Sequence, residues 1–226
     1  QKSEFISIIA HQMRTPLSAI KWTLSMLLKS ELGSLTVDQQ SFLVKAEDNN
    51  AYMIALVEDM LFADKLESGK SELNKAKVIL GDVIDASLHD ATPRASQKRI
   101  TINWTGCSPR DCSLEADKEK IRSVMQNLID NAIAYTPDGG SVTIQAEEQG
   151  GEIVVLVRDS GIGIPKDKQL YIFNKFYRAP NATRIEANGS GLGLFIVKRI
   201  IEAHGGKVSF DSEEGKGTTF QVRLPI

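Results

Sequence analysis

Apolar residues at Met13, Leu17, Ile20, Leu24 and Leu27 recur in alternating steps of four and three, the rhythm of a helix that lays one narrow stripe into a bundle. At roughly 100° per residue these five fall within an arc of about 80°. His11 then lies about 160° from the centre of that arc, facing water. Thr15 and Ser18 share the outward face one and two turns on, and Gln12 sits to one side. Pro16 removes the amide that would bond the Gln12 carbonyl, so the helix is expected to bend or loosen just past the histidine. A second stripe, Phe42, Ala46, Asn49, Met53, Leu56, Met60 and Ala63, repeats the rhythm with Asn49 as a polar intruder able to fix register. The pattern predicts two helices, one to about residue 30 and one from residue 36 or 38 to about 68, joined by a turn around Gly33. Such a pair buries little alone. Each stripe needs facing stripes, and a four-helix bundle built from two copies is the economical arrangement.

A polar stretch at 67–75 with Gly69 reads as a linker, which sets the expected division at 1–70 and 71–226. Beyond it the pattern changes to short strands alternating with helices. Strands are expected at 73–80, 100–104, 112–115, 141–147 and 152–158, with a hairpin signal at Gln149-Gly150-Gly151. Helices are expected at 80–97, from an Asp117 cap to about Tyr135, and at 192–204, stopped by Gly205-Gly206. A last hairpin, 207–211 with 218–224, turns around Gly215 and Gly217. The fold class is therefore α+β: a helical hairpin, then a sandwich of helices on one face of a mixed, mainly antiparallel sheet.

Length and composition narrow the functions. With 226 residues and 42% hydrophobic content, the chain can build real cores. A net charge of -2 gives no footprint for nucleic acid and no polybasic membrane patch. No apolar run approaches a membrane span and no signal peptide is visible. The chain begins at Gln1, so a soluble, cytoplasmic piece of a larger protein, itself a candidate for membrane anchoring, is expected. Cys107 and Cys112 flank a Ser-Pro-Arg-Asp turn and could pair across a hairpin, but two reduced thiols are the expectation.

Four separated segments of the second region carry chemistry that converges. Asn127 and Asn131 stand at i and i+4 on one helix face, where carboxamide oxygens can ligate Mg²⁺ and their nitrogens can donate to phosphate. Asp159-Ser-Gly161-Ile-Gly163 follows a strand, giving a carboxylate acceptor beside backbone able to pass close to a flat ring. Gly189-Ser-Gly191-Leu192-Gly193 opens a helix, whose N-terminal amides suit phosphate. Gly215-Lys-Gly217-Thr218 is the weakest of the four, since any hairpin could carry it.

In this order the segments resemble the N, G1, G2 and G3 boxes of the ATPase fold shared by histidine kinases, gyrase B, mismatch-repair ATPases and heat-shock chaperones. Phe173-Asn-Lys-Phe-Tyr-Arg178 resembles the F box of the kinase branch. Phe5-x5-His11-x2-Arg14-Thr15-Pro16-Leu17 resembles the phosphoacceptor box of sensor histidine kinases. The resemblance implies that ATP and Mg²⁺ bind the second region, with Asn131 the leading metal ligand and Asn127 and Tyr135 beside it. It implies Asp159 at adenine, Gly161, Gly163 and Thr218 shaping that pocket, and Gly189, Gly191, Leu192 and Gly193 at the phosphates. A lid over roughly 165–190 would carry Arg178 to the γ-phosphate, with Lys175 and Arg184 behind it. His11 would be phosphorylated and would pass its phosphoryl group to an aspartate on a response-regulator receiver, in a homodimer. Thr15 resembles the position that orients water for dephosphorylating that regulator. His204 and His89 read as structural.

Two positions depart from the family pattern. Gln12 stands where an acidic residue usually takes the proton of the histidine, and a carboxamide is no base. Ala134 stands where Lys or Arg usually touches phosphate. The competing expectations are thus a phosphatase-dominant module, or a nucleotide-binding scaffold, with weakened kinase activity.

Overall fold

The computed structural model describes residues 2–29, 33–67, 73–106, 112–186 and 189–226, with the side chains of 2–11, 66 and 67 outside the description. The chain divides into two compact units, Gln1–Lys70 and Ser71–Ile226. The central residues of the expected linker lie outside the described residues.

The first unit is a hairpin of α1 (Lys2–Leu28) and α2 (Val37–Glu67). Helix α1 runs unbroken through Pro16. Helix α2 starts on a capping box: the Gln39 amide donates to Thr36 Oγ1 at 3.2 Å, and the Thr36 amide donates to Gln39 Oε1 at 2.9 Å. Leu17 packs on Val57, with Ile54 and Leu61 beside them.

The phase of the α2 stripe differs from the expected one. The face turned to α1 is Asn50, Ile54, Val57 and Leu61, whereas of the expected stripe Phe42 stays 72% exposed, Met53 41% exposed and Asn49 exposed, Ala46, Leu56 and Met60 are half-buried, and Ala63 is buried. The two stripes lie about 100° apart around the helix. Helix α2 is apolar on two neighbouring faces, so one periodic pattern could not pick out the inner one. In α1 likewise, Leu17 and Leu24 are buried while Met13 and Ile20 are exposed.

The buried polar residue of the hairpin is thus Asn50, not Asn49. Its Nδ2 donates to the Leu17 carbonyl at 3.0 Å, and its Oδ1 is buried with no partner among the described residues. An orphaned buried acceptor costs stability that a leucine, with the same branching of side-chain heavy atoms, does not. Asn50→Leu is expected to raise the thermal midpoint by a few degrees, about 1 kcal/mol, and to broaden the oligomer distribution in sedimentation. A lowered midpoint would mean that Oδ1 has a hydrogen-bond partner.

The second unit opens with β1 (Ala76–Ile79), α3 (Leu80–Gln97), β2 (Thr101–Gly106), β3 (Ser113–Ala116) and α4 (Lys118–Tyr135). It continues with β4 (Ser141–Gln149), β5 (Glu152–Asp159), a 3₁₀ turn Lys166–Tyr171, α5 (Pro180–Ile185), α6 (Gly193–Ala203), β6 (Lys207–Glu213) and β7 (Gly217–Pro225). The main sheet has the order β2-β4-β5-β7-β6, with β2-β4 parallel and the other pairs antiparallel. Strands β1 and β3 form a small antiparallel ribbon. The core lies where α3, α4 and α6 meet the sheet, around Leu80, Ile84, Leu128, Ile144 and Ile196. Asp117 caps α4 as expected, its Oδ1 accepting from the Lys120 amide at 3.2 Å. Buried His204 latches α6 to that junction: Nδ1–H donates to the Ile200 carbonyl at 2.8 Å and Nε2 accepts the Asp117 amide at 3.1 Å. Burial pushes its pKa below the ordinary value, which suits the neutral tautomer that both bonds require.

Cys112 corrects one expectation. It is disulfide-bonded rather than a reduced thiol. The sequence holds one other cysteine, Cys107, which lies outside the described residues. A spacing of four residues across a turn leaves two cysteines within bridging reach, which composition alone could not decide.

Candidate functional site

The C-terminal half of α4, the turn after β5, the start of α6 and the start of β7 converge on one cavity of about 340 Å³. Its walls include Asn127, Asn131, Tyr135, Asp159, Gly163, Arg178, Gly189, Gly191, Gly193 and Thr218. These are segments far apart in sequence, and sheet order explains their meeting: β5 and β7 are neighbours, with Asp159 opposite Thr218.

One end of the cavity is apolar with a single carboxylate. Ile162, Ile164, Ile172 and Phe220 line the cavity with Asp159, which is only 7% exposed. Its Oδ1 accepts from the Gly161 amide at 2.8 Å and the Thr218 amide at 3.2 Å. Burial pushes its pKa up to about 6 against the pull of those two amides. A flat ring carrying an N–H donor fits such an end. Glycine is required beneath it: a Cβ on Gly161 would lie 2.5 Å from the Tyr135 carbonyl oxygen, and one on Gly163 would lie 2.0 Å from that of Glu213. Gly161 therefore shapes the floor from behind.

The other end is polar. On α4, Asn127, Asp130, Asn131 and Ala134 line it at i, i+3, i+4 and i+7. The Asn127 Nδ2 donates to the Ser123 carbonyl at 2.8 Å. This turns Oδ1 toward the loop at Gly193, where an added Cβ would approach it to 2.5 Å. That oxygen is a hard acceptor of the kind Mg²⁺ uses, so the residues fit such an ion. Leu192, fully buried, anchors the loop from below. The segment expected as a lid is held at two points: the Phe176 amide donates to the Gly191 carbonyl at 2.9 Å, and Asn181 Nδ2 donates to the Gly163 carbonyl at 3.0 Å. Arg178 donates to the carbonyls of Gly189, at 3.2 Å, and Glu186.

Lys175 and Arg184 stand outside the cavity walls. The Lys175 ammonium sits 4.9 Å from the centre of the Phe195 ring, and Arg184 lies exposed in the last turn of α5. In the first unit, Gln12 and Thr15 are exposed on α1. His11 belongs to α1, but its side chain lies outside the described residues. Tyr177, Asn181 and Phe220, from the expected motif and lid segments, also line the cavity, as do Arg94 and Asp130, which had no expected role. Helical spacing from Asn127 could have found Asp130; Arg94 comes from another helix and carried no local signal.

Comparison with known proteins agrees with this geometry. Residues 116–226 match the family model described as "Histidine kinase-, DNA gyrase B-, and HSP90-like ATPase". Residues 1–69 match the "His Kinase A (phospho-acceptor) domain". The chain is 33% identical over 227 residues to the sensor histidine kinase WalK of Bacillus subtilis, covering 100% of this chain and 37% of that protein. It is 30% identical over 225 residues to the circadian input-output histidine kinase CikA of Synechococcus elongatus, covering 99% of this chain and 30% of that one. The chain thus spans about a third of the length of these curated relatives. Among solved structures, full-length ShkA in complex with AMPPNP superposes with a TM-score of 0.81 at 30% identity, covering 98% of this chain and 45% of that one. The catalytic domain of histidine kinase ThkA gives a TM-score of 0.59 at 29% identity over 67% of this chain and 95% of that one.

Proposed function

The chain belongs to the sensor histidine kinase family, and we propose that it performs an ATP-dependent phosphotransfer: nucleotide binds the cavity of the second unit and its γ-phosphoryl group is transferred to His11. The observation that carries this reading is the pairing of a buried, amide-held carboxylate at one end of the cavity with two carboxamides and a glycine-opened helix at the other. Adenine at the first end would donate its exocyclic amine to Asp159. Its phosphates would then reach the α6 amides and the carboxamide face of α4. Asn127 and Asn131 would hold Mg²⁺, which when bound screens the phosphate charge and keeps the chain in position.

The imidazole nitrogen of His11 bearing the lone pair attacks the γ-phosphorus. An N–P bond forms, the bond from that phosphorus to the bridging oxygen breaks, and ADP leaves. The remaining imidazolium N–H proton goes to water, because Gln12 can orient the ring by hydrogen bonding but cannot take the proton. The rate is expected to lack general-base help of roughly 10²-fold. The phosphoryl group then passes to a carboxylate on a response-regulator receiver. The exposed Met13, Ile20, Phe42 and Met53 support a homodimer in which a second hairpin covers these apolar faces.

Incubation with γ-labelled ATP and Mg²⁺ should give one acid-labile label per chain, transferable to a receiver and absent in His11→Ala. A protein that binds ATP without becoming labelled, yet speeds dephosphorylation of a phosphorylated receiver in a way lost in Thr15→Ala, would instead be phosphatase-dominant. Gln12 and Ala134 favour that second reading.

A further inference from the structure

The face that α4 turns to the cavity is poor in positive charge. Asn127, Asp130, Asn131 and Ala134 offer two carboxamides, one carboxylate and a methyl group, none of which carries positive charge toward a polyphosphate. Two arginines complete the described walls. Arg178 is engaged with the lid carbonyls of Gly189 and Glu186. Lys98, near the same helix, is also committed: its ammonium donates to the Ile133 and Ala134 carbonyls at 2.9 Å each. The other wall cation is Arg94.

Arg94 projects from the last turn of α3 and donates through one terminal nitrogen to Asp130 Oδ1. Asp130, which also accepts from Gln126 Nε2 at 2.9 Å, fixes one end of the guanidinium at the cavity wall that Asn127 and Asn131 share. The Arg94 side chain remains 55% exposed, and its other N–H groups have no partner among the described residues. A guanidinium carries five donors in a planar fork, so it can keep Asp130 and still present a pair of donors to phosphate. Ala134 contributes only a methyl group beside it.

We propose that Arg94, positioned by Asp130, is a phosphate-binding residue of this cavity, supplying from α3 the cation that α4 lacks at Ala134. The proposal rests on the nucleotide reading above. A bland alternative is a surface clamp between two helices, and the molecule contains a matched control. Arg122 on α4 pairs with Asp90 on α3 at 2.9 Å, with side chains 46% and 45% exposed, and neither residue lines the cavity.

The test compares binding of Mg-ATP and of adenosine by titration calorimetry in the full chain. Arg94→Ala is expected to weaken ATP binding about tenfold or more, the scale of a charge-assisted hydrogen bond. Adenosine binding should stay within about twofold, because it has no phosphate to lose. Arg94→Gln, which leaves Asp130 a donor, should behave as Arg94→Ala if the alanine variant folds poorly. Arg94→Lys should retain most of the affinity, and Ala134→Lys should restore ATP binding in the Arg94→Ala background. Arg122→Ala should change neither ligand. Equal losses for ATP and adenosine, or an Arg94→Gln protein indistinguishable from Arg122→Ala, would overturn the proposal while leaving the nucleotide reading intact. A wild-type chain that binds neither ligand would overturn that reading, and this one with it.

Discussion

Asp159→Asn is expected to weaken ATP binding by about a hundredfold while making the nucleotide-free domain more stable. The carboxylate is buried against apolar side chains, and its pKa is pushed up to about 6. Holding it ionised at pH 7 costs on the order of 3 kcal/mol relative to an unfolded aspartate. Asparagine has the same shape, and its oxygen can still accept the Gly161 and Thr218 amides. Its nitrogen, however, would face the adenine amine donor to donor. An unmade hydrogen bond to a charged group is worth about 3 kcal/mol, hence the hundredfold. The stability gain should be about 2 kcal/mol, a midpoint rise on the order of 6 °C.

The pH dependence follows with a definite sign. The folded-state pKa of Asp159 lies above that of an unfolded aspartate. Its contribution to stability is therefore fully present below about pH 4 and lost as pH rises through about 6. Nucleotide binding runs the other way, because the anion is the acceptor. Adenosine affinity should fall about tenfold per pH unit below about 6 in the wild-type chain and stay flat in Asp159→Asn. A variant that loses both binding and stability would mean the carboxylate serves the fold rather than the ligand.

Gly163→Ala should be the more destructive change. Gly163 has φ +61°, and a Cβ there would lie 2.0 Å from the carbonyl oxygen of Glu213 and 2.7 Å from its carbon. Both are backbone atoms, so no side-chain rotation relieves the clash. The loop is also bound to that strand, with the Gly215 amide donating to the Ile162 carbonyl at 2.8 Å and the Ile164 amide to Ser212 Oγ at 2.9 Å. Moving it breaks these bonds and tilts the floor beside Asp159. The expected loss is about 3 kcal/mol or more, with nucleotide binding abolished. Gly150 is the control: its φ is +63°, and an added Cβ meets nothing within 4 Å. Gly150→Ala should cost about 1 kcal/mol for the left-handed backbone alone, with binding unchanged. Similar effects from the two changes, measured by chemical denaturation and ATP titration, would contradict the geometry.

Local chemistry explains what was legible in the chain. The Asp117 cap, the Gly150-Gly151 hairpin and the glycines around 161, 191 and 217 act through backbone geometry within a few residues, so their positions followed from the sequence. The phase of α2 did not, because Phe42 and Met53 make a second apolar face beside the one that carries Val57. Periodicity finds a stripe without saying which neighbour it meets. Arg94 was hidden for a similar reason: its proximity to Asp130 is made by α3 packing on α4, across 36 residues of sequence. Asp130 itself stood in view at i+3 from Asn127, and only the cavity gave it a role.

The central claim, that ATP bound in the second unit phosphorylates His11, is tested most directly by locating the phosphoryl group. After incubation with γ-labelled ATP and Mg²⁺, peptide mapping at alkaline pH should place the label on the peptide containing His11. The label should be discharged by acid, absent in His11→Ala, and absent in Asp159→Asn at ATP concentrations that saturate the wild-type site. A label that maps elsewhere, survives acid or persists in His11→Ala would contradict it.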